Sequence, residues 1–366
     1  MAGFFGLLWR WSEVQVRVLF SPDVFVRQRV GGVSRYFSEL HAGLKEAGVD
    51  ARLFAGLHDN QYIARSPARA MLGRLPWRSR LLLSDAAFAA YSAAQRRPGV
   101  VHPTYYTSSA VPGGRPHVCT FYDLIHLRYP DSFASGADTV DRQRFWARRA
   151  DRVIAISEAT AQDLVSLLGV PREKITVVHL GVHMPDVTAE KKTSDYILYV
   201  GGRAGYKNWR IVVQGLRARE LAQLRLVCAG GGAPTDEEKT LLEDCGLSRR
   251  VEFVQADERA LCGLYRSAVA LVFPSLCEGF GLPPLEAMAR GVPVVAARAA
   301  SIPEVVGDAA LLFDPRSPDE LVYSLGRLLN TATRDEFAKR GLSQARKFPW
   351  SKTVNRTIEV YRELLS

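Results

Sequence analysis

The run Phe273-Pro-Ser-Leu-Cys-Glu278-Gly-Phe-Gly-Leu-Pro-Pro-Leu-Glu286 places two carboxylates around a turn rich in glycine and proline. A β-branched and apolar run ends at Phe273. The paired prolines predict a helix starting near Pro283 or Pro284, because a missing N–H costs nothing in a first helical turn. The free N–H groups and positive end of such a helix would cradle a diphosphate. Glu278 falls in the loop, where it can meet a sugar. Glu286 falls about one turn into the helix, where it can accept hydrogen bonds from ribose hydroxyls. A solvated strand–helix turn would account for either glutamate alone, but not for the whole run.

A second constellation is Tyr199-Val-Gly-Gly-Arg203-Ala-Gly-Tyr-Lys207-Asn208, again a strand-like run opening into a glycine loop, here with two cations. Arg203 can grip phosphate oxygens bidentately and Lys207 can act as a point charge; an ordinary basic surface loop would look the same. The loop lacks G-K-[ST], so it is no Walker A loop, and the chain contains no G-x-G-x-x-G. A third is Gly31-Gly32-Val-Ser-Arg35-Tyr36, glycines at a predicted helix start that permit close backbone approach. His102, Tyr105 and Tyr106, and then Tyr122, Asp123 and His126, follow short strand-like runs. Asp123 and His126 are polar groups able to position an acceptor or a sugar hydroxyl, although a lone histidine also serves as a structural residue.

The chain contains no D-x-D and no His/Cys cluster with zinc spacing. Charge on a leaving diphosphate is therefore expected to be neutralised by Arg203, Lys207 and helix dipoles, with no metal and no cofactor.

The elements that must position these residues alternate. Strands are predicted at Val14–Phe20, Ala51–Ala55, Val118–Tyr122, Val153–Ile156 and Ile175–Val178. In the second half they are predicted at Tyr196–Val200, Leu224–Ala229, Val251–Val254, Ala270–Phe273 and Pro293–Ala296, with helices between. Val33, Tyr36, Leu40 and Leu44 have helical spacing, Gly48 ends that helix, and Ser157 stands at an N-cap. Such alternation makes parallel sheets covered on both faces. The expectation is an α/β protein of two Rossmann-like domains facing a cleft, with ligands at the carboxyl ends of the strands.

The domains are expected at residues 14–184 and 195–348, with a linker over 185–194, a crossover helix over 349–366 and an N-terminal extension over 1–13. At 366 residues with 47% hydrophobic and 23% charged residues, the chain is long enough for two soluble domains. Its net charge of +10 suits an anionic partner, and no RNP-like strand or other nucleic-acid module points to RNA or DNA. Five cysteines, none in C-x-x-C spacing, fit reduced thiols in a cytoplasmic protein. The apolar segment Met1–Trp11 lacks a basic n-region and a cleavage site, and no run reaches transmembrane length.

On these motifs the chain resembles glycosyltransferase family 4, retaining enzymes of the GT-B fold. The E-x7-E pair matches Glu278 and Glu286, the G-G-[IV]-x-R-Y opening matches Gly31 to Tyr36, and the phosphate-binding cations match Arg203 and Lys207. Ala150-Asp-Arg-Val-Ile-Ala-Ile-Ser157-Glu-Ala-Thr160 resembles the family's segment before the linker, and Phe348-Pro-Trp350 its return to the first domain. The resemblance runs from about Val14 to the end. It departs at Tyr122-Asp123, where many relatives have His-Asp, and at Gln255-Ala256 after Val254, where a glycine near the base is common.

The resemblance implies metal-independent transfer of a hexose from a nucleotide-diphosphate sugar with retention, GDP-mannose being the first guess. Glu278, Arg203, Lys207, Asp123 and His126 would serve catalysis. Gly31, Gly32, Val254, Gly279, Phe280, Gly281, Leu282 and Glu286 would complete the donor site. Arg35, Tyr36, His102, Tyr105 and Tyr122 are the expected acceptor contacts, and closure of the domains would exclude water.

From Arg65 to Arg97 seven arginines accompany Leu, Met and Trp77. Such a stretch reads either as docking at a membrane surface, suiting a lipid-linked glycan acceptor, or as a solvated basic helix. Two other functions fit the same phosphate cradle: a nucleotide-sugar epimerase of GT-B fold, and a non-catalytic nucleotide-sugar-binding protein.

Overall fold

The computed structural model describes residues 16–64, 75–95, 99–106, 114–133, 136–185, 194–203 and 205–366. The expected N-terminal extension, the linker apart from its end residues, and Arg65, Arg69, Arg74, Arg96 and Arg97 lie outside the described residues. The chain forms two compact units. One comprises the described residues up to Val118 with Ala150–Arg152 and Val354–Ser366; the other comprises Cys119–Arg149 and Val153–Thr353.

In the first unit β1 (Arg17–Phe20) lies between β2 (Asp50–Leu53) and β3 (Val100–His102), all parallel. The helix Gly32–Glu46 joins β1 to β2 and buries Tyr36, Phe37, Leu40 and Leu44 at helical spacing, as the sequence period requires. Gly48, at φ +79, takes the chain out of that helix in a conformation other residues avoid. A second three-stranded sheet, which apart from Val118 and Arg152 belongs to the second unit, has the order β4 (Val118–Phe121), β5 (Arg152–Ala155) and β6 (Ile175–Val177).

The second unit is dominated by a six-stranded parallel sheet. Its strands are β7 (Tyr196–Val200), β8 (Arg225–Ala229), β9 (Val251–Val254), β10 (Ala270–Phe273), β11 (Val294–Ala297) and β12 (Leu311–Phe313), in the spatial order 12-11-10-7-8-9. Counted from β7, this is the doubly wound order 3-2-1-4-5-6. Buried Ile197, Tyr199, Leu226, Val272 and Val295 from the strands pack with Trp209, Val212, Leu321 and Leu325 from the covering helices. The strand order reverses its progression between β7 and β10. The loops leaving these two strands therefore splay to opposite faces and open a crevice, and they are the loops that carry Lys207 and Glu278.

The observed strands agree with the predicted runs to within a few residues. β3 and β12 were not among them, each a run of three residues too short to show a period. Among the described residues no helix is long and apolar enough to cross a membrane.

Candidate active site

The two switch-point loops are tied together by backbone and side chain. Leu276 N donates to Tyr206 O at 2.8 Å. Asn208 adopts φ +53, which asparagine tolerates, and its Nδ2 donates to Pro315 O at 2.8 Å and to Pro274 O at 3.2 Å. This fixes Lys207 Nζ at 2.7 Å from Glu278 Oε1, with only 22% and 13% of the two side chains exposed. Burial alone would lower the Lys207 pKa; Glu278, Tyr206 and Asp123 outweigh it, so the ammonium is held charged.

Asp123 and His126 join this cluster. Burial pushes the Asp123 carboxyl up, and the charge of Glu278 adds to the rise; the Ile125 N–H, His126 and Lys207 act against it. His126, whose pKa burial lowers, stacks on Phe133 with ring centroids 4.0 Å apart, and Phe133 in turn faces Tyr206 at 5.9 Å. The Asp123 and Glu278 loops are pressed together at Gly279. A Cβ there would fall inside the Tyr122 carbonyl oxygen, 2.7 Å from its carbon and 3.1 Å from Asp123 Cβ, so only glycine fits. A cavity of about 230 Å³ opens beside this contact, lined by Asp123, Arg128, Tyr129, Thr160 and Glu278 among others.

Past Glu278, Gly281 at φ +121 turns the chain into the helix Leu282–Ala289, one residue before the predicted start. Pro283 and Pro284 carry no N–H, so amide donors toward an anion at this end come from the residues before them. Glu286 sits one turn in, half-buried, and accepts from Tyr265 Oη at 3.3 Å. Val254 ends β9, where its carbonyl accepts from Gly230 N at 3.1 Å.

Arg203 is engaged differently from the expected phosphate grip. Its Nε donates to Glu238 at 2.9 Å, Nη1 to Gly230 O at 2.8 Å, and Nη2 to the carbonyls of Gly231, Gly232 and Ala233 at 3.1–3.3 Å. The guanidinium also lies 4.7 Å from the Phe253 ring centre. In this arrangement it organises the three left-handed glycines after β8.

The expected residues of the first unit divide in the same way. Gly31 is extended at the N-cap, and a Cβ there would strike the Gln28 amide, whose Oε1 accepts from Ser34 N at 3.2 Å; Gly32 faces open space. Arg35 and Tyr105 are half-buried. Tyr36 and His102 are core residues at 2% and 0% exposure, which corrects their expected contact with an acceptor. His102 Nδ1 lies 2.7 Å from Tyr361 Oη, and burial lowers its pKa to about 3, so it is neutral. Tyr122 is also buried, and reaches the site through its backbone.

Two residues escaped the sequence reading. Ser301 Oγ donates to Glu278 O at 2.8 Å and Phe280 O at 2.7 Å, while Thr160 Oγ1 donates to Gly279 O at 3.3 Å. Thr160 appeared only as the end of the family-like segment Ala150–Thr160, with no role of its own, and Ser301 carried no local signal.

The comparisons with known proteins agree with this geometry. A family model described as Glycosyltransferase Family 4 matches residues 30–184, and one described as Glycosyl transferases group 1 matches residues 184–347. O-antigen chain mannosyltransferase B of Escherichia coli is 30% identical over 274 residues, covering 68% of this chain and 70% of that protein. D-inositol 3-phosphate glycosyltransferase of Acidothermus cellulolyticus is 28% identical over 392 residues, covering 92% and 86%. Sucrose-phosphate synthase from Thermosynechococcus elongatus superposes with a TM-score of 0.75 at 22% identity over 96% of this chain and 99% of that one. Anabaena Alr3699/HepE in complex with UDP-glucose does so with 0.69 at 18% identity over 95% and 100%. The fold is thus GT-B, two Rossmann-like domains in one chain. The chain belongs to glycosyltransferase family 4, and it is a hexosyltransferase.

Proposed function

We propose that the protein transfers a hexose, with retention and without a metal ion, from a nucleotide-diphosphate sugar to a glycan or lipid-linked acceptor in cell-surface polysaccharide synthesis. The observation that carries this is the Lys207–Glu278 pair at the switch point of the donor-side sheet. A buried ammonium there can take the charge that develops on a leaving diphosphate, and Glu278 can hold the hydroxyls of the sugar beside it. Glu286 would accept from a ribose. Asp123 feels the charges of the same pair and His126 interacts with Asp123; there the acceptor hydroxyl would meet the sugar. The leaving phosphate would itself take the acceptor's proton. The segment 14–184 would supply the acceptor contacts and 195–348 the donor contacts.

Mannose from GDP-mannose is the proposed donor, supported by the relatives named O-antigen chain mannosyltransferase and serotype-specific mannosyltransferase of Escherichia coli. A donor panel tests it: GDP-mannose, UDP-glucose, UDP-galactose, UDP-GlcNAc and dTDP-rhamnose, each with and without EDTA, read by thermal shift and by release of free nucleotide. One donor that stabilises and is slowly hydrolysed, unaffected by EDTA, is expected. Return of an intact, isomerised nucleotide sugar would instead make the protein an epimerase.

The acceptor reading includes peripheral contact with the cytoplasmic face of a membrane. The helix Trp77–Ala94 leaves Leu82, Leu83 and Trp77 exposed at 67%, 51% and 42%, spread around the helix, with the Arg78 guanidinium over the Trp77 ring. Arg80 is occupied by Asp59 at 2.5 Å. Sedimentation with anionic vesicles should fall in Leu82→Glu/Leu83→Glu; unchanged sedimentation would remove the helix from the reading.

A further inference from the structure

We propose that Ser301 and Thr160 are positioning residues that turn three peptide groups of the Glu278–Gly281 loop toward the donor diphosphate; the inference rests on the donor reading above. Three consecutive carbonyls of this loop, those of Glu278, Gly279 and Phe280, lie within hydrogen-bond distance of a side-chain hydroxyl, Glu278 and Phe280 sharing the single proton of Ser301 and Gly279 facing Thr160. In a trans peptide the C=O of one residue and the N–H of the next point in opposite directions, and no cis bond occurs among the described residues. Fixing these carbonyls therefore fixes the N–H groups of Gly279, Phe280 and Gly281, each directed away from the hydroxyl that holds its plane. Those are the amides just before Pro283 and Pro284, which have none to give. A loop free to rotate about its glycines would lose these orientations.

The hydroxyls are themselves placed with care. Ser301 and Thr160 are 0% and 2% exposed. Ser157 Oγ donates to Thr160 Oγ1 at 3.0 Å, which leaves the Thr160 proton for the Gly279 and Tyr122 carbonyls, the latter at 3.4 Å. Ser301 follows Ala300, which sits at φ +47, a region residues with a side chain avoid unless their surroundings impose it.

The test is calorimetric titration of the full chain with GDP, GMP, UDP and UMP, with melting temperature recorded for each variant. The wild type should bind the diphosphate of one base more tightly than its monophosphate. Ser301→Ala and Thr160→Val should each weaken diphosphate binding about tenfold, the scale of one hydrogen bond, and leave monophosphate binding within about twofold. Thr160→Ser should restore it. An unchanged diphosphate-to-monophosphate ratio would overturn the inference, as would equal weakening of both nucleotides, which a general loosening of the fold produces. A wild type that does not distinguish diphosphate from monophosphate would overturn the donor reading together with it. Should Ser301→Ala fail to fold, the Thr160→Val and Thr160→Ser pair decides.

Discussion

Gly279→Ala is the most informative single change, because the contact it disturbs is backbone against backbone. The new methyl group would lie 2.7 Å from the Tyr122 carbonyl carbon and closer still to its oxygen, with no flexible side chain to move aside. The Asp123 and Glu278 loops must part by on the order of 1 Å to restore ordinary contact. The Thr160 hydroxyl that spans their carbonyls resists this, and Lys207 is anchored to the Glu278 side. A displacement of about 1 Å at reacting groups costs on the order of a hundredfold in rate, or about 2.7 kcal/mol of transition-state stabilisation. Overpacking should cost a further 1 to 3 kcal/mol, roughly, in stability. The assay is kcat/KM for donor turnover beside the melting temperature, with GDP or UDP affinity as a control on the nucleotide side. The expected result is a folded protein whose kcat falls far more than its nucleotide affinity. Wild-type kcat/KM in Gly279→Ala would show that the close approach of the two loops does not set the site.

Lys207→Ala should lower kcat/KM by about a hundredfold to a thousandfold, since a preorganised charge on a leaving group is worth roughly 3 to 4 kcal/mol, and unchanged turnover would remove it from the site. Arg203→Met should act mainly on folding, losing about 3 kcal/mol as Glu238 and four carbonyls lose their buried partner, and a purely kinetic defect would return Arg203 to the phosphate. Glu286→Ala should raise the donor KM with a smaller change in kcat, and a pure kcat loss would contradict a ribose role. Glu304 gives a pH dependence: burial raises its pKa, but His179, at 2.6 Å, and the amides of Glu158 and Ala159 outweigh it and hold the carboxyl below its ordinary value. A depressed folded-state pKa contributes stability above the unfolded value of about 4.3, lost as pH falls through the folded one. The melting temperature of Glu304→Gln should therefore fall less steeply than the wild type's between about pH 4.5 and 3, and parallel curves would refute the linkage.

The fold and the place of the two switch-point loops were legible because both depend on local pattern. β-branched runs followed by glycine and then by helical spacing specify parallel strands with loops at their carboxyl ends, and the doubly wound order then places the loops of β7 and β10 together. Glu278, Glu286 and Lys207 needed nothing more than that. Asp123 and His126 were singled out together, and in the structure Asp123 feels the charges of Lys207 and Glu278 while His126 interacts with Asp123 and stacks on Phe133.

What a chain of residue types does not encode locally is which polar groups find partners across long separations. Arg203 reads as a free phosphate ligand until the carbonyls of residues 230–233 and Glu238 are folded around it. His102 reads as a cleft histidine until Phe20, Phe37 and Tyr361 enclose it, and desolvation in that apolar setting keeps it neutral. Ser301 reads as nothing until its hydroxyl meets Glu278 and Phe280 more than twenty residues away. Residue type and spacing determined which elements form and where their loops emerge. Tertiary structure alone decided which side chains spend their hydrogen bonds on the protein and which are left to meet a substrate, because that depends on three-dimensional proximity and burial, to which sequence spacing is blind.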